Sequence, residues 1–161
     1  MDIYLWRHGK AEDRSPTGRD SDRRLVPIGE RQTRKVAEAL LSRGDQPQKI
    51  FTSPYSRAYA TAEAIQDVLR CPGGVEVLDE LASGTSPSII LDALRSRKNL
   101  PPSIILVGHM PDLGITARDL MGPKQESVSL GTSTVVKISL DVLKSGAGTL
   151  RWILSPADLD S

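Results

Sequence analysis

Short apolar runs alternate with helical patterns along nearly the whole chain, and this alternation limits the possible folds more than any other feature. Ile3-Tyr4-Leu5-Trp6 is continuously apolar, the mark of a strand buried on both faces. Ile50-Phe51-Thr52 and Val75-Glu76-Val77-Leu78 read as two further strands, and Ser103-Ile104-Ile105-Leu106-Val107 is the most strand-like run of all. Between them, Pro27 opens a helix to about Arg43 that Gly44 stops. Ser53 is expected to cap a second helix with Pro54 in its first turn. Ala58, Ala62, Ile65 and Leu69 then form the stripe of a helix lying on a sheet, ended by Cys71-Pro72-Gly73-Gly74. Ser86-Pro87 begins a helix to about Arg97, and Pro111 begins one to Met121. Thr134 to Leu140 and Leu150 to Leu154, on either side of Lys144-Ser145-Gly146-Ala147-Gly148, read as a terminal hairpin. The pattern implies a three-layer α/β/α sandwich with a mostly parallel sheet and a C-terminal antiparallel hairpin.

The 161 residues fit a single domain, 1–161, with no internal repeat or low-complexity tract to suggest a second. A net charge of +1 gives no footprint for nucleic acid or an anionic membrane. The lone cysteine, Cys71, cannot form an intrachain disulfide, and no Cys/His spacing resembles a metal site, so neither metal nor cofactor is expected. No apolar run approaches about 20 residues and no secretory leader is recognisable, so a cytoplasmic protein is the default expectation. A monomer is expected too.

In open α/β sheets, ligands bind outside the carboxyl ends of the strands. Arg7, His8 and Gly9 follow the first strand directly. Arg57 stands in the first turn of the helix after the second strand, and His109 follows the Ser103–Val107 strand at once. If those strands are parallel neighbours, two cations and two imidazoles meet at one edge, beside helix N-termini that favour an anion. A phosphate site follows. Each residue also has a plainer reading: Arg57 as a solvated arginine on its helix, His109 as a turn closer. The charges at Arg14, Arg19, Arg23 and Arg24 interleave with Asp13, Asp20 and Asp22, and read as the solvated rim of a long exposed loop over 10–25.

The ordered set of segments resembles the histidine phosphatase superfamily, the phosphoglycerate mutase-like fold, in its short phosphohistidine phosphatase branch. Arg7-His8-Gly9 is similar to the family signature, and Asp20-Ser21-Asp22-Arg23-Arg24-Leu25 with Gly29 to its entry into the first helix. Ser53-Pro54 through Arg57-Ala58 to Thr61 resembles the segment bearing the second arginine. Val107-Gly108-His109-Met110-Pro111-Asp112-Leu113 resembles that bearing the second histidine. Thr132-Ser133-Thr134 and Trp152-Ile153-Leu154-Ser155-Pro156 resemble the branch's terminal hairpin.

The resemblance implies a metal-independent phosphatase in which His8 is a transiently phosphorylated nucleophile. Arg7, Arg57, His109 and the Gly9 backbone would hold the phosphoryl group. His8 should then be neutral on its attacking nitrogen, with the other ring nitrogen donating to a backbone carbonyl. His109 should be protonated once a dianionic phosphoryl group faces it. Glu80, in Leu78-Asp79-Glu80-Leu81, stands where many relatives carry a general acid; it is read either as that acid or as a surface carboxylate. The implied substrate is a phosphohistidine protein of a phosphotransfer or phosphotransferase system. The alternatives are a small phosphate ester handled by the same residues and, from another class, a non-catalytic phosphate-binding module. The long insertion that covers the site in mutase-like relatives is missing, since only residues 80–102 separate the third strand from the next.

Overall fold

The structure, a computed structural model, describes residues 1–160. Its strands are β1 (Asp2–Arg7), β2 (Lys49–Thr52), β3 (Val75–Val77), β4 (Ser103–Gly108), β5 (Val135–Leu140) and β6 (Gly148–Leu154). The helices are α1 (Pro27–Arg43), α2 (Ser56–Leu69), α3 (Pro87–Arg95) and α4 (Asp112–Met121). One six-stranded sheet runs in the order β3-β2-β4-β1-β5-β6. Its first four strands are parallel, and β5 and β6 are antiparallel. This is the α/β architecture with a terminal hairpin that the alternation of runs implies.

The continuous apolar runs are explained by two cores, one on each face. Ile3, Leu5, Ile104 and Leu106 pack against Ile90, Leu91 and Leu94 of α3 and against Leu113, Ala117 and Leu120 of α4. Tyr4, Trp6, Ile105 and Val107 point the opposite way, onto Val36, Ala37 and Leu40 of α1 and Ala58, Ala62 and Ile65 of α2. Alternation along a strand sends neighbouring side chains to opposite faces, so a strand covered on both sides must be apolar at every position. The result is three layers, with two helices on each face.

Several boundaries differ from the sequence expectation. Helix α2 begins at Ser56 with Tyr55 at its cap position, so Ser53 does not cap it and Pro54 is not in its first turn. The Ser53 side chain has another partner, described below. Helix α4 begins after Pro111, at Asp112, and α3 ends at Arg95. Strand β6 starts at Gly148, where a Cβ would lie 2.7 Å from Cγ2 of Ile138, so glycine lets the hairpin close there.

The loop over 10–25 is less loose than its composition suggests. Ala11 and Leu25 form an isolated antiparallel bridge, and Asp20–Asp22 form a 3-10 turn. Glu12 fastens the loop across its base, accepting from the Arg24 backbone N–H at 2.8 Å and from its guanidinium at 3.0 Å. Arg23 Nε donates to the Glu12 carbonyl at 2.6 Å. The loop is held at both ends and presents the 20–22 turn to the sheet edge.

Candidate active site

Register places the site. Arg7 pairs with Gly108 across β1 and β4, so His8 and His109 emerge side by side from the carboxyl edge. These are the chain's two histidines. Their ring centroids lie 5.2 Å apart, and both residues are buried. Thr52 pairs with Val107, which brings Ser53 to the same edge. Arg57, one residue into α2, reaches it from the helix N-terminus.

The backbone around His8 is fully engaged. Its N–H donates to the Gly108 carbonyl at 3.1 Å, and its carbonyl accepts from the Ser133 N–H at 3.1 Å. Gly9 N–H donates to Thr61 Oγ1 at 3.0 Å, and that hydroxyl donates to the Arg57 carbonyl at 2.7 Å. A side chain at Gly9 would not fit: its Cβ would sit 2.7 Å from a Leu25 methyl and 2.9 Å from the Gly29 carbonyl. The chain after β1 is thus pressed against the start of α1, and glycine is the residue that allows it.

The tautomer of His8 follows from its neighbours. Nδ1 lies 2.8 Å from the Gly9 carbonyl oxygen, which can only accept, so Nδ1 carries the proton. Nε2 is left with a lone pair, and Arg57 Nε donates toward it at 3.3 Å. Arg57 is 5% exposed, so the reading of it as a solvated helix-face residue is corrected. Arg7 donates through Nη1 to the Leu130 carbonyl at 2.9 Å, while its Nε is buried without a partner among the described residues. Burial and the nearby Arg57 cation lower the Arg7 guanidinium below its ordinary range.

His109 is gripped from one side only. Its Nε2 lies 2.8 Å from Ser53 Oγ, which also accepts the Tyr55 N–H at 3.1 Å. Its Nδ1 is buried with no partner among the described residues. If Ser53 donates to Nε2, the proton of the neutral ring stands on Nδ1 as an unused donor. The Tyr55 ring flanks the site, 4.8 Å from His109 and 5.3 Å from the Arg57 guanidinium carbon.

The loop charges are not all rim. Asp20 accepts from Arg57 through both its backbone carbonyl, at 2.7 Å, and its carboxylate, at 3.0 Å. Arg23 holds the same carboxylate at 2.9 Å. Beside this turn a surface groove of about 650 Å³ opens, lined among others by Arg14, Arg19, Asp20 and Arg23. Glu80 lies on a 3-10 turn, Asp79–Leu81, just after β3. It is half-buried, and no hydrogen bond or ion pair holds its carboxylate among the described residues.

Sequence reasoning assigns no role to Ser53, Tyr55 or Thr61 in the site. Ser53 was hidden because Ser-Pro before a helical stripe reads equally well as a cap. The only signal against that reading is that the apolar stripe begins late, at Ala58.

Burial sets the charge state of both rings. His8 is pushed down to about 4, first by loss of water, then by the Arg57 and Arg7 cations, with the bond to Gly9 opposing. His109 is pushed down to about 3 by burial, then by His8 and Arg57, with Asp20 opposing. Both rings are neutral at pH 7. An unfolded histidine titrates near 6.5, so between that pH and the folded values the unfolded chain binds more protons. Stability should therefore fall as pH drops from about 7 toward 4, by about 2 kcal/mol per ring by pH 5. Melting temperatures at pH 7.5 and 5 should show this loss in the wild type and a much flatter response in a His8→Asn, His109→Asn double variant. An equal loss in both proteins would show that the rings titrate normally.

Among the described residues, no group of three or more His, Cys, Asp or Glu side chains could hold a metal ion. No helix among the described residues is long and apolar enough to cross a membrane. What the geometry defines is a cluster of two guanidiniums and two buried imidazoles at the carboxyl edge of an open α/β sheet, an arrangement that can hold an anion.

That class has a family. The family model of the histidine phosphatase superfamily (branch 1) matches residues 3–85, and the chain belongs to this superfamily. It is accordingly a hydrolase, a phosphatase of the histidine-nucleophile type. The chain is 29% identical over 160 residues to the phosphohistidine phosphatase SixA of Escherichia coli, covering 99% of this chain and 96% of that one. It is 33% identical over 156 residues to an uncharacterised protein of a Picosynechococcus strain, covering 94% and 89% of the two chains. A solved structure of the protein histidine phosphatase SixA complexed with tungstate superposes with a TM-score of 0.88 at 29% identity, covering 99% of this chain and 100% of that one.

Proposed function

We propose that this chain hydrolyses phosphohistidine on a protein, with His8 as the nucleophile and Arg7, Arg57 and His109 as the phosphoryl clamp. The observation that carries the reading is the His8 ring: its proton is fixed on Nδ1 by Gly9, and its lone pair on Nε2 is turned toward Arg57. A neutral imidazole with a fixed tautomer is a nucleophile at pH 7 without a separate base.

The reaction has two displacements. The His8 Nε2 lone pair attacks phosphorus, the P–N bond to the substrate imidazole breaks, and its electron pair stays on the departing ring. Water then attacks the phosphorus on His8, the P–Nε2 bond breaks with its electrons returning to Nε2, and orthophosphate leaves with the water oxygen. Charge gathers on the equatorial oxygens in both steps, and positioned guanidiniums stabilise it. His109 Nδ1, buried and unpartnered, is the third donor of this clamp. A phosphoryl dianion at contact range favours its protonated form, against the burial that keeps it neutral.

The choice of a protein substrate rests on three supports. Two of them are the SixA relative and the SixA structure to which the chain is similar over nearly its whole length. The third is access: a surface groove lies beside Asp20, the residue bonded to Arg57, and residues 82–102 carry only α3 and its connections.

Leaving-group chemistry provides the test against a small phosphate ester. A phosphohistidine protonated on its distal nitrogen releases neutral imidazole, whose conjugate acid has a pKa of about 6.5. An alkyl ester releases an alkoxide that needs a general acid, worth about 10²–10⁴ in rate. Steady-state rates on a phosphohistidine protein and on a panel of alkyl phosphates, in wild type and Glu80→Gln, should show wild type preferring phosphohistidine. The substitution should barely slow that reaction and should slow any alkyl-ester activity heavily. A preference for an ester that Glu80→Gln abolishes would make this a small-molecule phosphatase with Glu80 as its acid.

A further inference from the structure

The 10–25 loop brings one carboxylate into contact with the clamp. Asp20 takes both terminal nitrogens of Arg57, Nη1 with its backbone carbonyl and Nη2 with its carboxylate. The two contacts are unlike. The carbonyl is fixed by the 3-10 turn, whereas the Asp20 side chain is 57% exposed at the mouth of the site and the Arg57 side chain only 6%. Arg23, and after it Arg57, hold the Asp20 carboxyl below the usual carboxylate range, so it is an anion throughout the neutral range.

A solvent-facing carboxylate on a buried guanidinium is a detachable partner. The same nitrogen is one that a phosphoryl oxygen would use, because a guanidinium binds such oxygens two at a time through its fork. Resting on the reading of Arg57 as a phosphoryl clamp, we infer that Asp20 is a built-in competing anion. It occupies one terminal nitrogen of Arg57 and repels an incoming phosphate dianion, and so sets how weakly the clamp holds orthophosphate. The consequence for turnover is asymmetric. A protein substrate has contacts beyond its phosphoryl group, while orthophosphate has the clamp alone, so weakening the clamp mainly frees the product.

The experiment is a calorimetric titration of orthophosphate into wild type, Asp20→Asn, Arg57→Ala and the double variant, alongside orthophosphate inhibition of turnover. Asparagine keeps the size and the exposed position, and melting temperatures check that each variant is folded. Removing the carboxylate should tighten orthophosphate binding and lower its inhibition constant by roughly two- to fivefold, the range of an exposed ion pair. In the Arg57→Ala background the same substitution should do much less, since the competition acts through that guanidinium. Unchanged or weaker binding in Asp20→Asn would overturn the inference and make Asp20 a residue that merely positions Arg57. Absence of orthophosphate binding in wild type and Asp20→Asn alike, or an Arg57→Ala protein that binds it as tightly as wild type, would bring down the clamp reading and the inference with it.

Discussion

Replacing His8 with alanine should abolish turnover, by on the order of 10⁴-fold or more, while leaving the protein folded. The ring makes two hydrogen bonds, one to the Gly9 carbonyl and one from Arg57 Nε, and the backbone bonds that fix this position do not use the side chain. What the variant loses is the nitrogen that accepts the phosphoryl group. Labelled substrate, quenched without acid because phosphohistidine is acid-labile, should leave label on the wild-type chain and none on His8→Ala. Label that persists in the alanine variant would take His8 out of this role.

Arg57→Lys should lose about 10²–10³ in rate although the charge is kept. Arg57 donates from three nitrogens at once, to His8 Nε2, to the Asp20 carbonyl and to the Asp20 carboxylate. An ammonium is a single point that cannot reproduce that planar arrangement, and lysine at a buried position also shifts toward its neutral form. The measurement is kcat and kcat/KM on the phosphohistidine protein, with the melting temperature as control. Turnover near the wild-type value in a folded Arg57→Lys protein would mean that the guanidinium geometry is irrelevant to the chemistry.

The two substitutions probe different kinds of residue. His8 was legible because it follows an apolar strand directly, with Arg7 and Gly9 on either side. Arg57 was legible only in company: alone, an arginine in the first turn of a helix reads as solvated. Its burial comes from α2 starting late, after the Ser53–Tyr55 segment has turned the chain over the sheet edge. The same late start frees Ser53 to hold His109, a role that capping logic hides. Asp20 reads as a rim charge for a related reason. In sequence its charge is one of several alternating signs, and nothing local says that the 3-10 turn will carry this one to Arg57.

By itself, then, the sequence determined the layer order and the strand ends that carry chemistry. Both are set by short-range rules: an apolar run buried on two faces, a helical stripe, and a glycine or proline that ends an element. Only the tertiary structure decided which polar groups face one another. The pairing of Arg7 with Gly108 sets His8 beside His109, and that pairing joins segments about a hundred residues apart. The protonation states were decided there as well, since burial and the Arg7 and Arg57 cations push both rings well below their ordinary value. Coulomb interaction and desolvation depend on distance and depth in space, and neither can be read from position along a chain.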